Sequence, residues 1–372
     1  MTTCCDACLR HGHLIAHLAP RIAGMLDRPR ERVSGVLRLD EGELIDRVAP
    51  KRADAVREFV ERFDAEQARK TLAEREVIGV CGHYPDYPAK LRDLADPPKV
   101  LFCTGTVERL RELVSEPAAT IVGSRRASPY ALEVARQLGR GLAASGLTVV
   151  SGLALGIDAV AHEGALAAHG NAIAVLACGP DVVYPSRHRA LYRRLRRSGV
   201  VMSEMPPGAR ALRWGFPARN RIMAALGAIT VVVEAGDPSG SLITANFASD
   251  LGRSVGAVPG RITVSVAEGS NRLLRDGAAL IRGPEDVLDE IFGVGNRPLA
   301  ARSSDASQAA IDALRPDLQK VLARVERGES VSAIATSTGL SVPAVRAALG
   351  QLEHLGLIVP GALGWWERAP RW

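Results

Sequence analysis

Aromatic side chains are scarce in this chain of 372 residues, at 4% of the total. A broad platform on which many bases stack is therefore excluded, and any stacking must rest on a few rings. No apolar run reaches the roughly 18–20 residues that a membrane-spanning helix needs. The first residues, MTTCCDACLRHGH, lack the hydrophobic stretch of a secretory signal. We expect a soluble cytoplasmic protein with no membrane partner.

Lysine is also scarce, because nearly all of the 47 basic residues are arginine. Together with 41 acidic residues they leave a net charge of +6, and the sequence pI is near 9.2. This balance fits an anionic partner without choosing among nucleic acid, nucleotide and membrane surface. Since a GC-rich genome alone would enrich arginine, alanine and glycine, the placement of the charges carries more information than their sum.

Cysteine occurs six times, and disulfides are not expected in a cytoplasmic protein. Cys5 and Cys8 have the C-x-x-C spacing of half a zinc site. Cys81 and His83 would complete a tetrahedral set if the two segments meet in the fold. Ordinary buried or surface thiols fit the sequence better, so we predict no metal and no cofactor, and the zinc alternative stays open.

The order of apolar patterns divides the chain into four parts. Residues 1–74 contain LIAHLAPRIAGML, ELIDRVA and ADAVREFVERFDAEQARKTLAE, whose helical spacing predicts a helical N-terminal domain. The second part covers residues 75–293. Within it, starting at Ala118, apolar runs of four to seven residues alternate with amphipathic stretches. Continuous apolar strands that alternate with helices predict an α/β domain, Rossmann-like and doubly wound around a mostly parallel sheet.

The remaining C-terminal residues form the other two parts. Residues 294–316 are rich in Gly, Pro, Ser and Ala, which is typical of a linker. Residues 317–372 carry two short helical patterns about the turn TSTGLS, followed by two short strands. We predict a winged-helix domain. Its second helix offers Arg346 and few polar side chains to contact bases, so protein contact or packing fits it better than DNA binding.

The loops that leave the parallel strands are the places to look for a ligand, because ligands bind beyond the carboxyl ends of such strands. The first loop contains Gly123, Ser124, Arg125 and Ser128. Glycine permits a close approach of the backbone, hydroxyls donate hydrogen bonds, and arginine neutralises phosphate. The loop matches neither G-x-G-x-x-G nor a Walker sequence. The main sequence evidence expected for a dinucleotide- or ATP-binding enzyme is therefore missing from this loop.

Further loops at the same predicted edge carry hydroxyls, amides, arginines and one aromatic ring. These candidates are Ser151, Gly152, Phe216, Arg219, Asn220, Arg221, Ser239, Gly240, Ser241, Thr244 and Asn271. Helix capping or surface charge would explain each residue taken singly. A row of small-residue anion nests with arginines, however, suits a polynucleotide backbone better than a single phosphate.

No catalytic set is apparent in the sequence. Asp158 is best explained as a helix cap, and His162, one turn later, as a structural histidine. Between Arg187 and Arg197 six arginines follow one helical stretch. A solvated basic face and a route for nucleic acid explain that stretch equally well.

Eight ordered segments carry a family resemblance: IVGSRRAS, SGLALGIDAVAH, LACGPDVVYP, SEMPPG, FPARNRI, VVVEAGDPSGSLITA, AVPG and EGSNRLLRDGA. They resemble the DNA-processing protein A family (DprA, also called Smf), over about residues 84–291. The resemblance implies a non-enzymatic homodimer that binds and protects single-stranded DNA. It also implies assistance in loading the RecA recombinase during natural transformation or related recombination.

The resemblance also assigns roles to the candidate residues. Ser124 and Arg125 would contact phosphate, Ser151 and Gly152 would line the same groove, and the segments 216–221 and 239–244 would hold the DNA. Leu155 stands where the family usually has arginine, and Gly256 replaces a common aromatic residue. This chain therefore departs from the family pattern at one cationic position.

Two other function classes remain as alternatives. A phosphoribohydrolase on a similar sheet would need PGGxGT followed by an acid, whereas this chain has EAGDPSGSLIT. A transcription regulator would act through the predicted winged helix, around residues 331–355, and would prefer duplex DNA.

Overall fold

The computed structural model describes residues 3–26, 33–294, 314–325, 327–354, 357–360 and 366–368. Contacts divide the chain into two compact units, residues 1–297 and 298–372. Most of the predicted linker 294–316 lies outside the described residues.

The described residues before the first strand are helical. They form α1 (Asp6–Leu26), α2 (Val33–Leu37), α3 (Glu41–Val48), α4 (Ala53–Glu61) and α5 (Ala65–Glu74). Asp40 and Glu43 make a capping box at the start of α3. Asp64 accepts a hydrogen bond from Gln67 N and begins α5, so the helical pattern over 53–74 is two helices rather than one.

One nine-stranded sheet runs through the first unit. Its strands are β1 (Val77–Cys81), β2 (Val100–Thr104), β3 (Ala118–Val122), β4 (Thr148–Ser151), β5 (Ala172–Leu176), β6 (Val200–Ser203), β7 (Ile229–Val232), β8 (Ser254–Ala257) and β9 (Ala279–Leu280). Their order is β1-β2-β6-β5-β4-β3-β7-β8-β9. The pairs β1–β2 and β2–β6 are antiparallel, and the others are parallel. The predicted mostly parallel sheet is confirmed.

Helices cover both faces of this sheet. They are α6 (Val107–Ser115), α7 (Pro129–Ala144), α8 (Ile157–Ala167), α9 (Arg189–Ser198), α10 (Gly215–Leu226), α11 (Gly240–Asp250), α12 (Glu268–Arg275) and α13 (Pro284–Phe292). The apolar sides of α7, α8, α9 and α13 share one core, and those of α6, α10 and α11 share the other. The first unit is therefore a three-layer α/β structure.

A crevice opens between β3 and β7, where the strand order changes direction: β4 to β6 extend the sheet on one side of β3, and β7 to β9 extend it on the other. β3 and β7 are neighbours, yet α7 follows β3 on one face and α11 follows β7 on the other. The loops after these strands consequently diverge at their carboxyl ends. Open α/β sheets bind their ligands at such a switch point.

Close helix packing fixes the helices beside this crevice. A Cβ on Gly139 of α7 would lie 2.1 Å from Ala161 O of α8, so the two backbones touch. Trp214, immediately before α10, donates its Nε1–H to Ala19 O of α1 at 3.1 Å. The N-terminal helices thus hold the beginning of α10 in place.

The second unit contains three helices and a strand pair among its described residues. They are α14 (Pro316–Val325), α15 (Val331–Thr338), α16 (Val342–His354), β10 (Ile358–Pro360) and β11 (Trp366–Arg368). The two strands are antiparallel. Leu322, Ile334 and Leu352, one from each helix, share a core.

None of the helices described in either unit has both the length and the apolar character that a membrane span requires.

Candidate nucleic-acid interface

A cavity of about 440 Å³ opens at the crevice between β3 and β7. Its walls come from the loops after β3, β4 and β7 and from the first turns of α10 and α11. The predicted site residues among its lining are Gly123, Ser124, Arg125, Phe216, Arg219, Asn220, Ser239, Gly240, Ser241 and Thr244. The fold therefore brings predicted site residues from three separate sequence segments together at one edge of the sheet.

The loop after β3 is pinned on both sides. Ser124 N donates to Glu234 O at 2.7 Å, and Ile157 N donates to Ser124 O at 3.3 Å. A Cβ on Gly123 would lie 2.7 Å from Ile157 Cγ1, so the close approach of this loop to α8 needs glycine. The pinned backbone leaves Arg125 exposed at the mouth of the cavity.

Arg125 lies against an aromatic pair. Its Cζ is 5.1 Å from the ring centroid of Phe216, within the range of a cation–π contact. The Phe216 ring in turn lies 5.7 Å from that of Tyr184, which is 47% exposed. The sequence prediction missed Tyr184 as a site residue, although the segment LACGPDVVYP contains it.

Arg219 lies deeper, with 6% of its surface exposed. Its Nη1 donates to Val175 O at 2.7 Å. A Cβ on Gly152 would lie 1.5 Å from that nitrogen, so the guanidinium occupies the space a side chain would fill. Burial lowers the pKa of Arg219 and the nearby Asp158 charge opposes the shift. Because arginine ordinarily titrates far above neutral pH, the group stays cationic.

Asp158 is a buried carboxylate at the first turn of α8. Its Oδ2 accepts hydrogen bonds from Gly152 N at 3.1 Å and Ala154 N at 3.4 Å. Burial raises the pKa of Asp158, and Arg219 partly offsets that effect. His162, one turn later, is fully buried, and its burial lowers its pKa to about 3.

The first turn of α11 supplies polar groups to the opposite wall. The hydroxyls of Ser239 and Ser241 lie 2.8 Å apart, and Asn220 Nδ2 donates to Gly240 O at 3.1 Å. Thr244 is 1% exposed, and its Oγ1 has no hydrogen-bond partner in the described residues. A helix N-terminus beside an unsatisfied buried hydroxyl favours an anionic or polar ligand.

A second, smaller cavity of about 60 Å³ extends the first one past the end of β4 to that of β5. The two share Arg125, Phe216 and Arg219, and the smaller one adds Tyr184. We call the two cavities together the trough. Because neighbouring strands lie about 4.8 Å apart, the four strand ends β7-β3-β4-β5 span about 14 Å. The trough is longer than one phosphate requires.

Four predicted site residues do not line the trough: Ser128, Ser151, Arg221 and Asn271. Their side chains bind other parts of the protein. Ser128 donates from its N and Oγ to the Glu234 carboxylate at 3.0 and 2.6 Å. Ser151 Oγ donates to Ile121 O at 2.6 Å. These two hydroxyls therefore stabilise the segments that flank the crevice through hydrogen bonds within the protein.

Arg221 and Asn271 have partners that are remote in sequence. Arg221 donates to the Glu204 carboxylate at 2.9 Å and to Asp96 O at 3.0 and 3.2 Å. Asn271 exchanges hydrogen bonds with the backbone of Gly260 at 3.0 and 3.1 Å. Both contacts fasten one segment of the fold to another.

The arginine-rich stretch is largely a surface feature. Arg196 pairs with Glu76 at 2.8 Å, whereas Arg193, Arg194 and Arg197 are exposed along α9. Since α9 leaves the carboxyl end of β5 and returns to begin β6, its C-terminal half points toward the opposite edge of the sheet. Most of this charge lies away from the trough.

A family model and a curated relative both match most of the α/β unit that contains the trough. Residues 79–292 match the family model described as DNA recombination-mediator protein A. Protein Smf of Synechocystis is 34% identical over 301 residues, which cover 74% of this chain and 76% of that protein.

Two solved structures are also similar. DNA processing protein A (DprA) from Streptococcus pneumoniae aligns with a TM-score of 0.60 and 31% identity, over 76% of this chain and 95% of that one. DNA processing protein A from Helicobacter pylori, whose structure is described for its single-stranded DNA binding mode, aligns with a TM-score of 0.51 and 29% identity, over 57% and 94%. The chain therefore belongs to the DNA recombination-mediator protein A family.

Proposed function

We propose that the trough binds single-stranded DNA and performs no catalytic turnover. The observation that supports this most is the convergence of Arg125, Phe216, Arg219 and the first turn of α11 on one elongated cavity. The sugar-phosphate backbone lies along the carboxyl edge of the sheet, and neighbouring bases contact the rings.

The phosphates bind to cations and helix-end donors. Arg125 is exposed and offers a planar fork of donors, which suits bidentate contact with phosphate oxygens. The N–H groups of the first turn of α11 and the unpartnered Thr244 hydroxyl serve the next phosphate. Arg219, deeper in the trough, adds positive potential where little water screens it.

The bases stack on the aromatic pair. Phe216 and Tyr184 present ring faces beside Arg125, and base–aromatic stacking tolerates any sequence because every base has a π-face. A duplex hides the faces of its internal bases. The trough therefore favours single strands over duplex DNA.

The acidic group in the trough argues against hydrolysis. Asp158 is the one carboxylate among the described residues that line the two cavities, and two backbone N–H groups already occupy its Oδ2. A phosphoribohydrolase would need a carboxylate free to contact a ribose. Incubation with AMP is expected to release no adenine.

Family membership extends the proposal to two protein partners. A second copy of the chain forms a homodimer, and the DNA-bound protein assists loading of RecA. Ile262, 92% exposed, and Leu280, 51% exposed on the edge strand β9, are apolar surface of the kind that a second copy covers. Sedimentation equilibrium is expected to give a dimer for the intact chain.

We also propose that residues 317–372 form a winged-helix domain. The observed α15, α16 and the antiparallel pair β10–β11 support it. Arg346 is the one arginine or lysine on α16, which favours protein contact over base recognition by this helix.

The test is fluorescence anisotropy with a labelled oligothymidylate and a matched duplex at several salt concentrations. Arg125→Ala is expected to weaken single-strand binding about tenfold, ~1.4 kcal/mol, and to reduce the salt slope by about 0.7. Arg126→Ala is the matched control, because Arg126 is an exposed neighbour that does not line the trough. Tighter binding to the duplex, or unaltered binding by Arg125→Ala at every salt concentration, would contradict the proposal.

A further inference from the structure

Three thiols and one imidazole converge beside the first turn of α1. Cys5 lies immediately before that helix, Cys8 lies in its first turn, Cys81 ends β1, and His83 lies in the turn that follows. The Sγ atoms of Cys5 and Cys8 each lie 3.4 Å from His83 Nδ1, and that of Cys81 lies 3.7 Å away. The Sγ atoms of Cys5 and Cys81 are 3.9 Å apart. All four atoms lie within 4.8 Å of one another.

These separations are close to the edges of a zinc coordination tetrahedron. Zinc bonds of about 2.3 Å to sulfur and about 2.0–2.1 Å to nitrogen at tetrahedral angles give edges of about 3.8 Å between sulfurs and about 3.5–3.6 Å from sulfur to nitrogen. The four separations given above agree with these edges to within about 0.2 Å, and the two Sγ–Sγ distances that involve Cys8 do not exceed 4.8 Å. We propose that Cys5, Cys8, Cys81 and His83 form a Cys₃His site for a structural zinc ion.

The chemistry of the donors selects the metal. Thiolates and imidazole suit zinc and exclude magnesium and calcium, which prefer oxygen ligands. Four protein ligands fill a tetrahedral shell and leave no position for substrate or water. The ion is therefore structural.

Groups around the donors orient and stabilise them. Cys5 N donates toward Cys81 Sγ at 3.5 Å, and Cys8 is held by its place in the first turn of α1. Arg69 donates to Cys4 O at 3.1 Å and also pairs with Asp6, beside the cluster. Such outer contacts are typical of structural metal sites.

The site joins two distant parts of the chain. Cys5 and Cys81 are 76 residues apart, so the ion fastens the N-terminal end of α1 to the edge strand β1. Backbone contacts support the same junction, because Cys81 N donates to Thr3 O at 3.1 Å and Thr3 Oγ1 donates to Gly79 O at 2.6 Å. Binding of the ion stabilises the attachment of the N-terminal helices to the sheet. None of the four donors lines the trough.

The test begins with metal analysis of the intact, reduced chain after equilibration with zinc and removal of unbound ions. About one tightly held zinc per chain is expected. Cys5→Ser and His83→Ala, the two most exposed donors, are expected to lose it. Cys103→Ser is the matched control, since this cysteine is buried outside the donor set and the variant should retain the metal.

A second measurement keeps the proposal testable if a ligand variant folds poorly. Cobalt(II) added to the intact apo chain should give the thiolate charge-transfer and intense visible bands of a tetrahedral sulfur-rich site. A chelator should lower the Tm of the intact chain and leave that of His83→Ala unchanged. The proposal is overturned if the reduced chain binds no zinc and gives no such cobalt spectrum. Equal zinc content in the ligand variants and the wild type, or iron in place of zinc, would also overturn it.

Discussion

The two faces of α10 carry arginines with different environments. Arg219 faces the trough, whereas Arg221, two positions on and about 200° around the helix, faces the protein interior. Both are buried, with 6% and 1% of their surface exposed. Arg221 is enclosed by Asp96 and Glu204, while Arg219 keeps an Nε without a hydrogen-bond partner among the described residues. Burial alone therefore does not distinguish the two roles. A buried arginine whose donors are satisfied by carboxylates is structural, whereas one with a free donor is available to a ligand.

The largest predicted change is a loss of folding stability on substitution of Arg221, on the interior face of α10. Arg221→Ala leaves two carboxylates in the interior without their cation, and breaking a buried pair in this way costs about 3–5 kcal/mol of folding free energy. Urea denaturation should show this loss. A double-mutant cycle with Glu204→Gln is the control, and additive losses from the two substitutions would mean that the pair is not coupled.

The next effect concerns the space that Arg219 occupies. Gly152→Ala places a Cβ 1.5 Å from Nη1, so the guanidinium must move, at a cost of about 1–3 kcal/mol. Both the Tm and the affinity for single strands should fall. Gly24→Ala is the matched control, because nothing lies within 4 Å of a Cβ there. If Gly152→Ala binds single strands with wild-type affinity, the present position of the Arg219 guanidinium is not required for DNA binding.

A loss of similar size, in affinity alone, isolates stacking on the trough face. Phe216→Leu keeps an apolar side chain but removes the ring, and loss of one stacked base costs about 1–3 kcal/mol. Affinity for oligothymidylate should fall while its salt dependence stays the same, because no phosphate contact is lost. Tyr130→Leu, an exposed ring outside the trough, should leave affinity unaltered. Equal losses in both variants would argue against a specific ring contact.

The smallest effect is expected from the arginine-rich helix. Arg194 is exposed on the half of α9 that points away from the carboxyl edge, so Arg194→Ala should change affinity less than about twofold, with only weak long-range screening involved. Titration at low salt measures it. A loss comparable to that of Arg125→Ala would place α9 in the path of the DNA.

The sequence predicted the parallel sheet because strands buried on both faces form continuous apolar runs. It also predicted which loops meet, since the carboxyl ends of parallel strands share an edge. It missed the antiparallel strand β1, which precedes a proline-rich segment, and it missed Tyr184. It did not separate Arg219 from Arg221, because the partner Asp96 lies 125 residues away in the chain. For the same reason the sequence left open whether Cys5 and Cys8 meet Cys81 and His83, and the fold brings the four residues together.

The most direct test of the trough is photochemical crosslinking of oligothymidylate to the intact chain, followed by tryptic peptide mass spectrometry. Phe216 lies in the tryptic segment 214–219, between Arg213 and Arg219, where Trp214 is buried. This peptide, or the one that contains Tyr184, should carry the crosslinked nucleotide. Crosslinks confined to peptides from residues 317–372 would contradict binding in the trough.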